Sequence, residues 1–234
     1  MGLSGVTTTA SQETAVSPDE RRQITVMFCD LVGSVALSQR LEDEVYCNLM
    51  QAYIGACEKV VRQYDGHVAE VRGDGLVAYF GWPRAHEDDA ERSVLTALGT
   101  VQAVKAVSTA EPLAVHTGIA TGPVVIVGGR AVGEPVILAA RLSDMAKANE
   151  VWIAHDTSCL VGDTFELTDL GALPVEGMDR PRRAWRVDAL RRTEGRFEAA
   201  RKGLPLTPLV GREEDVASCC ALGATRARVK DASC

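Results

Sequence analysis

Apolar and polar positions alternate with two periods along this chain, and the switches between periods mark its elements. Arg21 to Asp30 reads as a first strand, with Ile24 to Cys29 apolar and β-branched enough to be buried. Gly33 releases the chain into a helical pattern beginning over Val35 to Leu41. Val45, Leu49, Tyr53, Ala56 and Val60 recur every three or four residues and predict a second helix, ended by Asp65-Gly66. His67 to Val71 and Leu76 to Phe80 predict two strands around a Gly-Asp-Gly turn. Ala90, Val94, Leu98 and Val101 place a helix after His86-Glu87-Asp88-Asp89. Leu113 to Ala120 alternates as a strand, with Leu113, Val115, Thr117 and Ile119 on one face; Thr121-Gly122-Pro123 predicts a turn into Val124 to Val127. Pro135 suits a helix start, and Val136 to Ala148 supplies the helix. A short strand over Val151 to Ala154, a short helix near Asp156 to Val161 and a last strand over Trp185 to Val187 complete the pattern. Irregular alternation with hairpins predicts an α+β layered fold rather than a doubly wound parallel sheet.

Composition narrows the function classes. The 234 residues suit one domain plus tails, and 46% hydrophobic with 24% charged residues is ordinary for a globular chain. A net charge of −7 argues against a nucleic-acid-binding surface. No apolar run is long enough to span a membrane and no signal peptide is visible. The seven Cys form no Cys-x-x-Cys pair and read as reduced, buried apolar side chains of a cytoplasmic protein. Residues 1–19, rich in Ser, Thr and Ala, predict a disordered tail; residues 20–190 predict the domain; 191–234 predict a linker and a truncated C-terminal tail.

The candidate chemistry lies at two strand ends. Phe28-Cys29-Asp30-Leu31-Val32-Gly33-Ser34 and Arg72-Gly73-Asp74-Gly75 each place a carboxylate beside a glycine. Two such Asp suit divalent cations, because Mg²⁺ takes one or two carboxylates plus substrate phosphates. The backbone amides of Leu31 to Ser34, at a helix start, are placed to cradle phosphates. Taken singly, each Asp is better explained as a strand-end or turn residue bonding its own backbone; it is as a pair that the two favour metal binding. The acidic run at Glu87 to Asp89 reads as helix-dipole capping rather than a metal site.

The segments FCDLVGS, VRGDGLVAYFGWP, AHEDDAERSV, VHTGIATGPVV and VGEPVILAARL, in that order, resemble the catalytic domain of the class III adenylate/guanylate cyclases over about residues 20 to 190. The resemblance implies a ferredoxin-like βαββαβ core with added strands and helices. It implies a homodimer with shared active sites, two Mg²⁺ or Mn²⁺ per site, and a purine nucleoside triphosphate substrate, ATP by family and GTP as the alternative. By motif position Asp30, Asp74 and Leu31 would hold metals; Val32, Gly33 and Ser34 would hold phosphate; Arg141 would stabilise the transition state.

Other positions depart from the family pattern. Glu70 stands where adenylate cyclases carry Lys and guanylate cyclases carry Glu. Arg130 occupies the partner base-reading position and matches neither purine pattern, unless the Gly128 to Val132 loop shifts the register. Ile137 replaces the ribose-orienting Asn, Val35 a phosphate-loop Thr, and Glu176 a triphosphate-binding Lys, where a carboxylate would repel phosphate. Three functions therefore stay open: a weak or altered cyclase, a cyclase-fold regulatory module that binds nucleotide or a partner without turnover, and a plain dimerisation domain. Residues 206–214 resemble the opening of an ATPase module, but no P-loop is present.

Overall fold

The structure, a computed structural model, describes residues 20–109 and 112–191. The tail expected at 1–19, that expected at 191–234 apart from Arg191, and the ATPase-like segment lie outside the described residues.

Strand β1 (Glu20–Leu31) is followed by α1 (Ser34–Arg40), α2 (Asp43–Gln63), β2 (His67–Arg72) and β3 (Gly75–Phe80). Then come α3 (Asp89–Lys105), β4 (Val115–Val127), β5 (Arg130–Val132) and α4 (Glu134–Met145). The chain closes with β6 (Val151–Ala154), α5 (His155–Val161), β7 (Phe165–Leu173) and β8 (Arg182–Leu190). One sheet runs in the order β2-β3-β1-β4-β6-β8-β7, with β5 paired to β4. The β2-β3-β1-β4 half, antiparallel throughout, is the expected ferredoxin-like core. Parallel pairing of β4 with β6 joins the added strands to it.

The sheet is covered on both faces. Met27, Cys29 and Leu31 of β1 pack with Tyr53 and Val61 of α2 and Val94 and Val101 of α3. Ile24 and Val26, one position out of phase, pack with Leu138, Ala139 and Leu142 of α4. Gly118 permits the close approach of α4, since a Cβ there would overlap the Ala139 carbonyl and the Ser143 amide. The turn expected at Thr121-Gly122-Pro123 is absent. Strand β4 runs through it, paired residue for residue with β1 from Leu31↔Val115 to Glu20↔Ile126. Pro123 stands there without a break, pairing with Gln23 of β1.

The acidic run before α3 is structural. Arg92, only 9% exposed, binds Asp88 at 3.1 Å, Asp89, the His86 ring and the Tyr64 carbonyl at 2.8 Å. A buried guanidinium needs such a set of acceptors. No helix of the described residues is long and apolar enough to cross a membrane.

Candidate active site

Asp30 stands at the end of the central strand, paired with Gly75 on one side and His116 on the other. Asp74 lies in the β2–β3 turn directly before Gly75, with Gly73 at φ 61 allowing the tight reversal. The register thus brings the two predicted carboxylates to one end of the sheet. Tyr53, fully buried on α2, donates its hydroxyl to the Asp74 carbonyl at 3.0 Å and fixes the turn from below. Burial pushes its phenol far up, so it remains a neutral donor.

Burial, and next the nearby charge of Asp74, raise Asp30 from 3.8 to about 6, against a smaller opposing effect of His116. Asp30 Oδ1 is buried without a hydrogen-bond partner. Two facing carboxylates, one with an orphaned oxygen, are an unfavourable arrangement that a divalent cation would relieve. The residues present therefore fit a metal pair. Among the described residues no group of three or more His, Cys, Asp or Glu could enclose an ion. Its remaining ligands would have to be a backbone carbonyl, water and substrate phosphates.

The raised acidity constant has a measurable consequence. An acid with a higher pKa folded than unfolded favours folding only while protonated. Metal-free stability therefore falls as pH rises from 3.8 through about 6, the shift being driven by Asp30 burial. With the Asp30 side chain 38% exposed, solvent screening limits the effect to about 1 kcal/mol. The urea stability of Asp30→Asn in chelator should gain on wild type as pH rises through that window. A gain independent of pH would contradict this account of Asp30.

His116 was not anticipated. It faces Asp30 with Nε2 at 3.9 Å from Oδ2, and its Nδ1 contacts the Ser143 carbonyl on α4. Ser143 returns a hydroxyl bond to the His116 carbonyl at 3.2 Å. The signal was a lone His on a strand face otherwise holding Ala114, Gly118 and Ala120.

The expected phosphate loop leads directly into α1. Gly33 adopts φ 71, ψ 23, and its carbonyl accepts the Leu37 amide at 3.0 Å. One part of the expectation changes: the Val32 amide donates to the Ala114 carbonyl at 2.8 Å and is spent inside the fold. Gly33 and Ser34 remain at the helix start.

Glu70 and Arg130, sixty residues apart, meet at 3.4 Å, which the mapping of both to one base pocket requires. Arg72 also binds Glu70, at 2.7 Å and 3.1 Å. Arg141 and Ile137 lie on the side of α4 away from the sheet, because Leu138, Ala139, Leu142 and Ser143 are the buried positions. Ile137 is 52% exposed. Arg141 pairs with Asp144 at 3.4 Å and with Glu176 at 3.2 Å. Arg141 is thus not joined to the Asp pair of its own chain. Glu176, expected as a repulsive neighbour of phosphate, forms this exposed pair with the guanidinium.

Residues 16–187 match the family model for the adenylate and guanylate cyclase catalytic domain. The adenylyl cyclase CyaB from P. aeruginosa superposes with TM-score 0.71 at 28% identity, covering 76% of this chain and all of that one (100%). The guanylyl cyclase Cya2 gives 0.71 at 26% identity, covering 76% and 98%. An uncharacterised protein of Rhizobium meliloti is 31% identical over 214 residues, 86% of this chain and 20% of that protein. Adenylate cyclase 1 of the same organism is 27% identical over 141 residues, 54% of this chain and 21% of that enzyme. The chain spans about a fifth of the length of these two relatives.

Proposed function

This chain belongs to the adenylate and guanylate cyclase catalytic-domain family, and we propose that it converts a purine nucleoside triphosphate to the cyclic 3′,5′-monophosphate and pyrophosphate. The ribose 3′-oxygen forms a bond to the α-phosphorus, the bond from that phosphorus to the α,β-bridging oxygen breaks with its electron pair leaving on pyrophosphate, and the hydroxyl proton passes to water. The observation that carries the reading is the Asp30–Asp74 pair, with the buried, unpartnered Oδ1 of Asp30. Asp30, Asp74 and the Leu31 carbonyl would hold two Mg²⁺ or Mn²⁺, which supply hydroxyl acidification and charge neutralisation on the leaving group. Gly33 and Ser34 offer backbone amides to the phosphates. Arg141 offers a permanently charged fork to the phosphoryl oxygens as charge develops. The reading places the domain in the cytoplasm.

The active unit is a symmetric homodimer. Arg141 projects from the side of α4 opposite the sheet, so a second copy must bring it to the triphosphate held by Asp30 and Asp74. Exposed Val71 adjoins Glu70, and exposed Val127 and Val132 flank Arg130, giving apolar surface for that contact. The test is complementation. Asp30→Ala and Arg141→Ala are each expected to be inactive alone. Mixed one to one, half the dimers carry one intact site of two, giving about a quarter of wild-type cyclic-nucleotide formation. A mixture no more active than either variant, beside an active wild type, refutes the shared site.

Two observations favour the runner-up, a module that binds nucleotide without turnover. Arg141 is engaged by Glu176, and Ile137 offers the ribose no hydrogen bond. Metal-dependent triphosphate binding with no cyclic product from ATP or GTP would select it.

A further inference from the structure

His116 and Asp30 are register partners on β4 and β1, on the sheet face that α4 covers. Gly118, two positions on and therefore on the same face, lets α4 lie close against β4. That approach brings the Ser143 carbonyl onto Nδ1 of His116, and the Ser143 hydroxyl returns a bond to the His116 carbonyl at 3.2 Å. Ser143 is buried and the His116 side chain is only 17% exposed, so the ring is pinned between strand and helix. A carbonyl only accepts. The proton of the neutral ring is therefore on Nδ1, and Nε2 keeps its lone pair.

Nε2 faces a carboxylate, with Asp30 Oδ2 at 3.9 Å. Two acceptors do not attract each other, and this distance is beyond hydrogen-bond reach. It is the separation of two ligand atoms on one first-row cation, about 3 to 4 Å when each bond is about 2.1 Å. The other oxygen of Asp30 serves the other flank. Oδ1, buried and unpartnered, lies 3.6 Å from where a Cβ on Gly75 would stand, on the β3 side that carries Asp74. Asp74, Asp30 and His116 thus form two pairs around one carboxylate rather than one cluster of three, in keeping with the lack of such a cluster among the described residues.

Resting on the metal reading above, we infer that His116 Nε2 is a nitrogen ligand of one of the two cations, shared with Asp30 Oδ2, and that this position takes a first-row transition ion in preference to Mg²⁺. The arrangement is that of metal-binding histidines in general. The second ring nitrogen donates to a backbone carbonyl, which fixes the tautomer and the ring plane and raises the basicity of the ligating nitrogen. Mg²⁺ takes oxygen ligands and gains little from an imidazole, whereas Co²⁺ and Zn²⁺ gain much and Mn²⁺ accepts one. The cation on the Asp74 side keeps the oxygen ligands described above. The two positions therefore differ in the ions they prefer.

Pulsed EPR of Mn²⁺ on the full chain reads the ligand directly. Mn²⁺ is added at one per chain beside excess Mg²⁺, with inorganic triphosphate, which brings no nitrogen of its own. Nitrogen modulation is expected on the bound Mn²⁺ signal, changed in pattern when histidine is labelled with heavy nitrogen. The labelled wild type decides even where a variant fails to fold, because the other three histidines are engaged elsewhere: His67 and His155 against Trp82 and Trp185, and His86 on Arg92. In folded His116→Phe the modulation is expected to vanish. Co²⁺ affinity should fall there by at least about tenfold while Mg²⁺ affinity changes by less than about twofold. A histidine that only supports the fold would weaken both ions alike, so the Co²⁺-to-Mg²⁺ ratio is the second readout. Bound Mn²⁺ without nitrogen modulation overturns the inference, as does Mn²⁺ bound only when Mg²⁺ is left out, or a ratio unchanged in His116→Phe. Failure of Mn²⁺ to bind under any of these conditions defeats the metal reading itself, and this inference with it.

Discussion

Changing Asp30 and Asp74 together to Asn is expected to weaken Mn²⁺-dependent triphosphate binding by more than about a hundredfold while raising the stability of the metal-free fold. The two effects have one origin. The carboxylates face each other at the end of β1 and the β2–β3 turn, and Asp30 is pushed up by burial and by Asp74. Asn keeps the shape of each side chain and removes the charge. Repulsion disappears without a cavity, and Tyr53 still binds the Asp74 backbone carbonyl, which substitution leaves in place. What is lost is hard anionic oxygen, the ligand a divalent cation requires. Mn²⁺ titration of fluorescent-triphosphate binding and urea denaturation in chelator measure the two changes. A folded double variant with unchanged metal-dependent affinity would remove the site from this end of the sheet. Opposite signs of the two effects are the diagnostic result, because a merely structural Asp pair would lower stability when replaced.

Much of this architecture is readable before any coordinates, and the reasons are local. Glycines at 33, 73 and 75 bracket two carboxylates, and the apolar runs before and after them are long enough to identify β1 and β3. Sheet order then follows from the family resemblance rather than from periodicity. Strand β7 was not anticipated, because Phe165–Leu173 is half exposed at the sheet edge and carries Glu166, Asp169 and two register shifts. Strand β5 escaped notice because three residues between a Gly-Gly turn and Gly133 carry too little pattern. The false turn at Thr121-Gly122-Pro123 shows how a turn-like triplet is overridden by a twelve-residue ladder to β1. His116 needed the register of β1 against β4, a tertiary fact. The pairing of Glu176 with Arg141 needed the loop after β7 to fold back on α4, which no short-range signal encodes. The meeting of Glu70 with Arg130 was raised by the family mapping and is realised in the fold.

Restoring the family residues at four of the five departures, Glu70→Lys with Arg130→Asp, Ile137→Asn and Glu176→Lys, is expected to raise the initial rate of cyclic AMP formation with Mn²⁺ by more than about tenfold. The changes act on three contacts. Glu70→Lys together with Arg130→Asp reverses the donor and acceptor of the base cluster, turning it toward the adenine edge. Both must change together, because either alone leaves like charges or an unpaired group where Glu70 and Arg130 now meet at 3.4 Å. Ile137→Asn, four residues before Arg141 on the same exposed side of α4, supplies the hydrogen bond that isoleucine cannot give the ribose. Glu176→Lys ends the 3.2 Å ion pair with Arg141 and replaces a phosphate-repelling charge with an attracting one. In the free chain that pair is solvent-exposed and weak, so releasing it costs little stability. Inside the proposed dimer site, with water excluded, the same carboxylate would compete with phosphate at much greater strength. Glu176→Lys should therefore contribute most to rate, and the paired change at 70 and 130 most to ATP affinity. If the fourfold variant folds, dimerises and stays inert, the limit lies outside these contacts. If wild type already forms cyclic AMP as fast, the assignment of positions 130 and 137 to base and ribose is wrong. Separating rate from affinity tells the two contributions apart: a corrected base pocket lowers KM for ATP, whereas a freed Arg141 raises kcat with KM nearly unchanged.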